Sequence, residues 1–156
     1  MIAGFGNELR ADDGFGVAVI HRLEAEKSSL GAGVELMEIG TGGMRLAQEL
    51  LSGYDRLVVV DAMTRGGAPG TLYVLRVDDV TAATSVDLHL TVPARAFAVA
   101  RALGALPAQV YLVGCEPGEV DELSLSLTPP VRAAVDGAVA HVRQLLRTHT
   151  GAAARA

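Results

Sequence analysis

The chain lacks the sequence features of several large classes of protein. It has one cysteine in 156 residues, which excludes an internal disulfide framework and fits a reducing cytoplasm. No apolar run reaches the roughly 18 residues that a membrane-spanning helix needs, and no signal peptide is visible. The net charge of −5 argues against a nucleic-acid partner, which needs a basic surface. We therefore expect a cytoplasmic protein that binds neither membranes nor nucleic acid.

What the chain does have is an alternation of strand-like and helix-like segments. The apolar periodicity predicts strands at residues 2–4, 34–39, 57–60, 71–77 and 109–114, and helices at residues 13–27, 44–51, 90–103 and 129–147. This order predicts one three-layer α/β domain over residues 1–149, with a mostly parallel sheet between helices. Residues 150–156 have no pattern and are expected to form a disordered tail.

Local signals add detail to this prediction. Either Asp12 or Asp13 can cap the first helix. The connection between residues 61 and 71 is too short for a crossover helix, so the strands on either side of it should be antiparallel. The last helix begins at a proline and carries an apolar stripe that should face the sheet, formed by Val131, Val135, Val139, Val142 and Leu146.

Three side chains carry most of the chemical information. Asp13 follows the glycine-rich loop after the first strand, Asp61 ends the apolar run of the most central strand, and His89 precedes a helix. Because both aspartates follow strands, they should lie at the edge of the sheet formed by the carboxyl ends of the strands. Ligands bind at this edge in open α/β sheets. Two oxygen donors and one nitrogen donor can hold a divalent metal such as nickel, zinc or iron. The three residues could therefore hold a metal ion if the fold brings them together.

Each of these residues also has a structural interpretation. An aspartate at a strand end often accepts backbone N–H groups of the following loop, and most single histidines pack or lie on the surface. Gly4 and Gly6 could open a dinucleotide-binding loop, but Leu9 stands where the third glycine belongs. Two aspartates at a helix start would also repel a pyrophosphate. We expect no nucleotide cofactor. One aspartate is enough to cap the helix, so the second is unexplained.

The motifs together resemble a known family. The opening segment GFGNELRADDGFGV at residues 4–17 is similar to that of the hydrogenase maturation endopeptidases, which process the large subunit of nickel–iron hydrogenases. The resemblance continues through EIGTG at 38–42, VVDA at 59–62, GAPG at 67–70, the segment around His89, LVGCEP at 112–117 and LS at 123–124. It covers nearly the whole chain in order.

The resemblance implies a fold, a substrate and site residues. It implies a five-stranded twisted sheet with helices on both faces. It also implies that Asp13, Asp61 and His89 engage a metal and carry the catalysis. The nickel would be supplied by the substrate, a large-subunit precursor whose C-terminal extension is removed after nickel insertion. The enzyme is expected to act as a monomer. Water activation by the metal and general-base action by Asp13 or Asp61 both stay open.

The chain departs from the family pattern at two places. Only Met1, Ile2 and Ala3 precede the glycine motif. A strand of these three residues is too short to pair along all of residues 57–60. We therefore expect the native protein to begin a few apolar residues upstream and this shorter form to be less stable. Cys115 replaces an aliphatic residue and is interpreted as a small buried hydrophobic side chain.

Two other functions compete with the processing endopeptidase. The protein could be a binding module that checks nickel loading of the large subunit during assembly without cutting it. It could also be a small-molecule-binding α/β domain that uses the loop at Gly4 and Gly6. The mass of the large subunit decreases if the protein is an enzyme and stays the same if it is a binding module. Binding to nucleotides would identify the small-molecule-binding domain.

Overall fold

The computed structural model describes residues 1–77 and 91–148. The strands are β1 (Ile2–Phe5), β2 (Leu36–Gly40), β3 (Arg56–Ala62), β4 (Leu72–Arg76) and β5 (Gln109–Cys115). The helices are α1 (Phe15–Glu24), α2 (Gly43–Glu49), α3 (Thr91–Ala102) and α4 (Pro129–Arg147). Short 3₁₀ turns lie at Ala11–Gly14, Lys27–Ser29 and Leu50–Ser52. None of the helices in this part of the chain is long and apolar enough to cross a membrane.

The strands of the described residues form one five-stranded sheet in the order β2-β1-β3-β5-β4. All neighbouring pairs are parallel except β4 with β5. The sequence predicted the direction of β4 correctly, but β5 lies between β3 and β4, so the two strands joined by residues 63–71 are not neighbours. The predicted mostly parallel α/β sheet is confirmed.

Two apolar cores lie on opposite faces of the sheet because alternate strand residues point in opposite directions. One face packs Val59 and Leu112 against α2 and α3, while the other packs Val58 and Val113 against α1 and α4. The predicted stripe of α4 lies in the second core, with Val131, Val139 and Val142 buried and Val135 and Leu146 partly buried. The three-layer arrangement is therefore as predicted.

The start of the first helix differs from the prediction. The expected helix at residues 13–27 is a 3₁₀ turn followed by α1, which begins at Phe15. Neither Asp12 nor Asp13 caps it with a side-chain hydrogen bond, and Gly14 is the residue before the first helical position. The capping prediction was wrong because both carboxylates are engaged elsewhere.

Strand β1 pairs more fully than the sequence suggested. Ile2, Ala3 and Gly4 lie in register with Val58, Val59 and Val60. The amino group of Met1 also donates to the carbonyl of Arg56 (2.9 Å), and the N–H of Val58 donates to the carbonyl of Met1 (3.0 Å). The expectation of incomplete pairing along residues 57–60 was wrong. The hypothesis of an upstream start stays a prediction.

Gly16 allows α1 to contact the sheet directly. A Cβ atom at this position would lie 2.3 Å from the carbonyl oxygen of Phe5 and 2.4 Å from that of Val60. No ordinary side chain fits such distances without moving the backbone. The close approach fixes the preceding turn, Ala11–Gly14, beside the end of β3.

We expect Gly16→Ala to lower the free energy of unfolding by at least about 1–3 kcal/mol, the usual range for overpacking a core. Urea unfolding measures the change. Gly42→Ala is the matched control, since its Cβ would meet nothing closer than 3.8 Å and its φ of −99° suits any residue. Its effect should stay within about 0.5 kcal/mol. Equal stability of the two variants would show that α1 does not need this close contact.

Candidate active site

Asp61 lies at the carboxyl end of β3, in register with Gly114 of β5. Part of its side-chain surface is exposed to solvent, but protein atoms surround the carboxylate on most sides. Burial and, to a lesser extent, the charge of Asp13 raise the pKa of Asp61 to about 7, although the N–H of Ala62 acts in the opposite direction. No lysine or arginine of the described residues appears among the groups that shift this pKa. Asp61 therefore occupies a position where its negative charge is unfavourable.

Asp13 lies in the 3₁₀ turn that packs beside β3. The N–H of Asn7 donates to its Oδ2 (2.9 Å), which ties the carboxylate to the glycine-rich loop. Gly6 makes this geometry possible, since a Cβ there would lie 1.7 Å from the carbonyl oxygen of Asp13, and its φ is +114°. The structure thus brings Asp13 and Asp61 close enough for one charge to act on the other.

Two like charges held together in partial burial favour a cation or a shared proton. The carboxylate oxygens of Asp13 and Asp61 are suitable donors for a divalent metal. His89, the third predicted ligand, lies outside the described residues. In the two described ranges, no three metal-binding side chains cluster. Asp13 and Asp61 fit the oxygen part of the predicted donor set, and the complete three-residue site stays a prediction.

Asp12 points away from this pair and holds the loop after β5. Its side chain is fully buried and accepts hydrogen bonds from Gly118 N–H (2.8 Å), Glu119 N–H (3.0 Å), Thr128 N–H (2.7 Å) and the Thr128 hydroxyl (2.8 Å). Burial alone would raise the pKa of Asp12, but these donors outweigh it and lower the pKa below its ordinary value. Asp12 therefore holds the loop after β5 instead of capping the helix.

Backbone hydrogen bonds complete the attachment of this loop. The N–H of Ala11 donates to the carbonyl of Ser124 (2.8 Å), and the N–H of Ser124 donates to the carbonyl of Leu9 (3.0 Å). Ala11 itself has a φ of +46°, a conformation that costs a non-glycine residue about 1 kcal/mol or more. The loop and the turn that carries Asp13 form one bonded unit.

Glu116 is a second buried carboxylate that sequence reasoning did not select. It follows β5 directly and accepts hydrogen bonds from Arg65 N–H (2.7 Å), Gly66 N–H (3.2 Å) and the Tyr73 hydroxyl (2.8 Å). Burial opposes its ionisation, but these donors and the N–H of Gly67 lower its pKa. Glu116 thus shapes the loop that leaves Asp61. Its position in the sequence could have identified it, because Glu116 is an acidic residue at the end of a buried strand, like Asp61.

Cys115 is fully buried beside Val113 in the core formed with α1 and α4. Burial, with a smaller contribution from the charge of Asp12, raises the pKa of its thiol to about 12. Its burial agrees with the interpretation as a small apolar side chain.

We expect a thiol reagent at pH 8 to modify Cys115 of the native protein at least about a hundredfold more slowly than that of the unfolded protein. The reactive form is the thiolate, and the buried thiol of the native protein stays protonated at this pH. Rapid modification of the native protein would contradict this placement.

An open cleft of about 320 Å³ lies between the starts of α2 and α3. The loop before α2 is joined to the glycine-rich loop, since the N–H of Gly6 donates to the carbonyl of Gly40 (3.0 Å). The lining is mostly apolar and includes Thr41, Gly43, Met44, Val92, Arg95 and Val99. The carboxyl edge of the sheet therefore presents both a pair of carboxylates and an adjoining cleft.

Comparison with known proteins agrees with this arrangement. The family described as HycI, hydrogenase maturation protease, matches residues 17–145. The chain is 39% identical over 150 residues to the hydrogenase expression/formation protein HupD of Rhodobacter capsulatus, covering 94% of this chain and 70% of that protein. It is 32% identical over 150 residues to the hydrogenase 2 maturation protease of Escherichia coli K12, covering 94% and 90%.

Solved structures give the same result. The hydrogenase maturating endopeptidase HybD from Escherichia coli superposes with a TM-score of 0.80 at 30% identity, covering 94% of this chain and 91% of that one. The [NiFe] hydrogenase maturation protease HybD from Thermococcus kodakarensis superposes with a TM-score of 0.77 at 28% identity, covering 94% and 97%. Family, relatives and fold point the same way, and the chain belongs to the hydrogenase maturation protease family.

Proposed function

We propose that the protein removes the C-terminal extension from a nickel–iron hydrogenase large-subunit precursor after nickel has been inserted, and that it recognises the bound nickel. Membership of the maturation protease family supports the proteolytic step. The observation that carries the proposal is the pair of carboxylates at the carboxyl edge, where burial and Asp13 both disfavour the charge of Asp61. A divalent cation brought by the substrate would relieve that unfavourable charge.

In this proposal the site residues engage the substrate in a defined way. Asp13 and Asp61 supply oxygen donors to the nickel of the precursor, and His89 supplies a nitrogen donor. Helix α3 begins at Thr91, two residues after His89, and its start lies at the carboxyl edge because its far end leads into β5. Because the nickel arrives with the precursor, only a loaded precursor completes the donor set, which makes cutting conditional on metal insertion.

Two routes for activating the attacking water are consistent with the site. The nickel of the substrate can polarise the scissile carbonyl or the water. Alternatively, one carboxylate can take a proton from the water while the other holds the metal. Glu116 and Asp12 have no direct part in either route, because their oxygens are already occupied by loop donors.

The test is incubation of the protein with the large-subunit precursor of the same organism, prepared with and without nickel. Intact mass analysis should show loss of the C-terminal extension only from the nickel-loaded form. Binding without a change in mass would identify the non-cleaving assembly checkpoint instead. Equal cutting of both precursor forms would refute nickel recognition while leaving the protease activity in place.

A further inference from the structure

Three leucines lie exposed next to the candidate active site. Leu9, Leu123 and Leu125 have 56%, 83% and 76% of their surface exposed. The bonds between Ser124 and residues 9 and 11 bring the segment around Leu123 alongside that of Leu9. We call these three side chains the leucine patch. Contiguous exposed apolar side chains of this kind commonly mark an interaction surface.

The leucine patch is carried by an ordered backbone. Asp12 binds both ends of the loop, at Gly118 and Glu119 on one side and at Thr128 on the other. Ser124, which lies between two of the leucines, is bonded on both sides to the opening loop. A surface that is already fixed loses little conformational entropy when a partner binds.

The charges around the leucine patch are mostly negative. Glu8, Asp121 and Glu122 are exposed there, and Arg10 forms an ion pair with Asp121 (3.3 Å). Charge complementarity therefore favours a partner that presents apolar side chains flanked by lysine or arginine. The opening loop links the patch to Asp13, since the N–H of Asn7, two residues before Leu9, donates to the Asp13 carboxylate.

We propose that the leucine patch docks the body of the large-subunit precursor, through an apolar surface flanked by basic side chains and separate from the segment that is cut. This inference rests on the proposed function for the identity of the partner. The patch provides affinity and positions the precursor, whereas Asp13 and Asp61 act at the nickel. Loss of the patch should therefore weaken binding without slowing the chemical step.

The test is the double variant Leu123→Asp/Leu125→Asp with the nickel-loaded precursor as the probe. We expect KM to rise at least about tenfold with kcat retained, as for removal of anchors at an interface. Both side chains are exposed, so the melting temperature should not change. Leu103→Asp is the matched control, since Leu103 is 55% exposed and follows α3 at the opposite edge of the sheet. Leu123→Ala/Leu125→Ala provides a second variant if the aspartates disturb folding.

The outcomes separate this inference from the proposed function. If the wild-type protein cuts and the double variants keep its KM, the docking surface is refuted and the protease stands. If the wild-type protein binds without cutting and the double variants lose that binding, the docking surface stands and the proposed cleavage fails. If the wild-type protein neither binds nor cuts the precursor, both are overturned.

Discussion

Asp61→Asn is expected to reduce cutting of the nickel-loaded precursor by at least about a hundredfold while leaving the fold intact. Asparagine keeps the volume of the side chain but removes the charge that a cation or a proton transfer requires. Burial and Asp13 already disfavour that charge in the free protein, so the variant should unfold at the same temperature as the wild type or a higher one. A time course by intact mass, with thermal unfolding in parallel, measures both effects.

Asp55→Asn is the control for this experiment, because Asp55 is an exposed aspartate just before the opposite end of the same strand, β3. The Asp55→Asn variant should cut the precursor at the wild-type rate. Near-normal cutting by Asp61→Asn would show that Asp61 is a structural residue and would remove the main support for the proposed mechanism.

Asp12→Ala should destabilise the protein by at least about 2 kcal/mol, because each buried donor that loses its acceptor costs roughly 1–3 kcal/mol. The change leaves the N–H groups of Gly118, Glu119 and Thr128 and the Thr128 hydroxyl without their acceptor. Unsatisfied buried donors are costly because water cannot replace the lost bond. Urea unfolding measures the loss. Asp136→Ala, which removes an exposed carboxylate paired with Arg22, should change stability by less than about 1 kcal/mol.

The stabilisation from Asp12 should also depend on pH. Since the pKa of Asp12 in the folded protein lies below its ordinary value of 3.8, its contribution is fully present above that value. It is lost as the pH falls through the folded pKa. The difference in unfolding free energy between the wild type and Asp12→Asn should therefore be constant near neutral pH and shrink below about pH 4. A difference that persists unchanged in acid would contradict an ionised Asp12.

The strands and helices were predictable because burial leaves a local pattern. The continuous apolar run at Leu57 to Val60 marks a strand covered on both faces, and the stripe on α4 marks one covered side of a helix. The order of strands was harder, since nothing in residues 63–71 indicates that β5 inserts between β3 and β4. Strand order depends on which apolar faces pair across the whole chain.

The roles of the acids were only partly predictable for the same reason. Asp13 and Asp61 could be assigned to one edge because both follow strands, and in the structure the charge of Asp13 acts on Asp61. Asp12 was expected to cap the adjacent helix, yet its partners lie 106 to 116 residues further along the chain. Glu116 likewise binds a loop about 50 residues away. A local pattern cannot reveal such partners, and His89 falls outside the described residues.

The adjacency of Asp12 and Asp13 restricts how this part of the chain can change length. One peptide bond separates the residue that holds the loop from the residue that faces Asp61, and both lie in a 3₁₀ turn. Each residue of such a turn is rotated by roughly 120° from the one before it. A single inserted or deleted residue would therefore turn both carboxylates away from their partners together. The segment can accept substitutions more easily than it can accept a change in length.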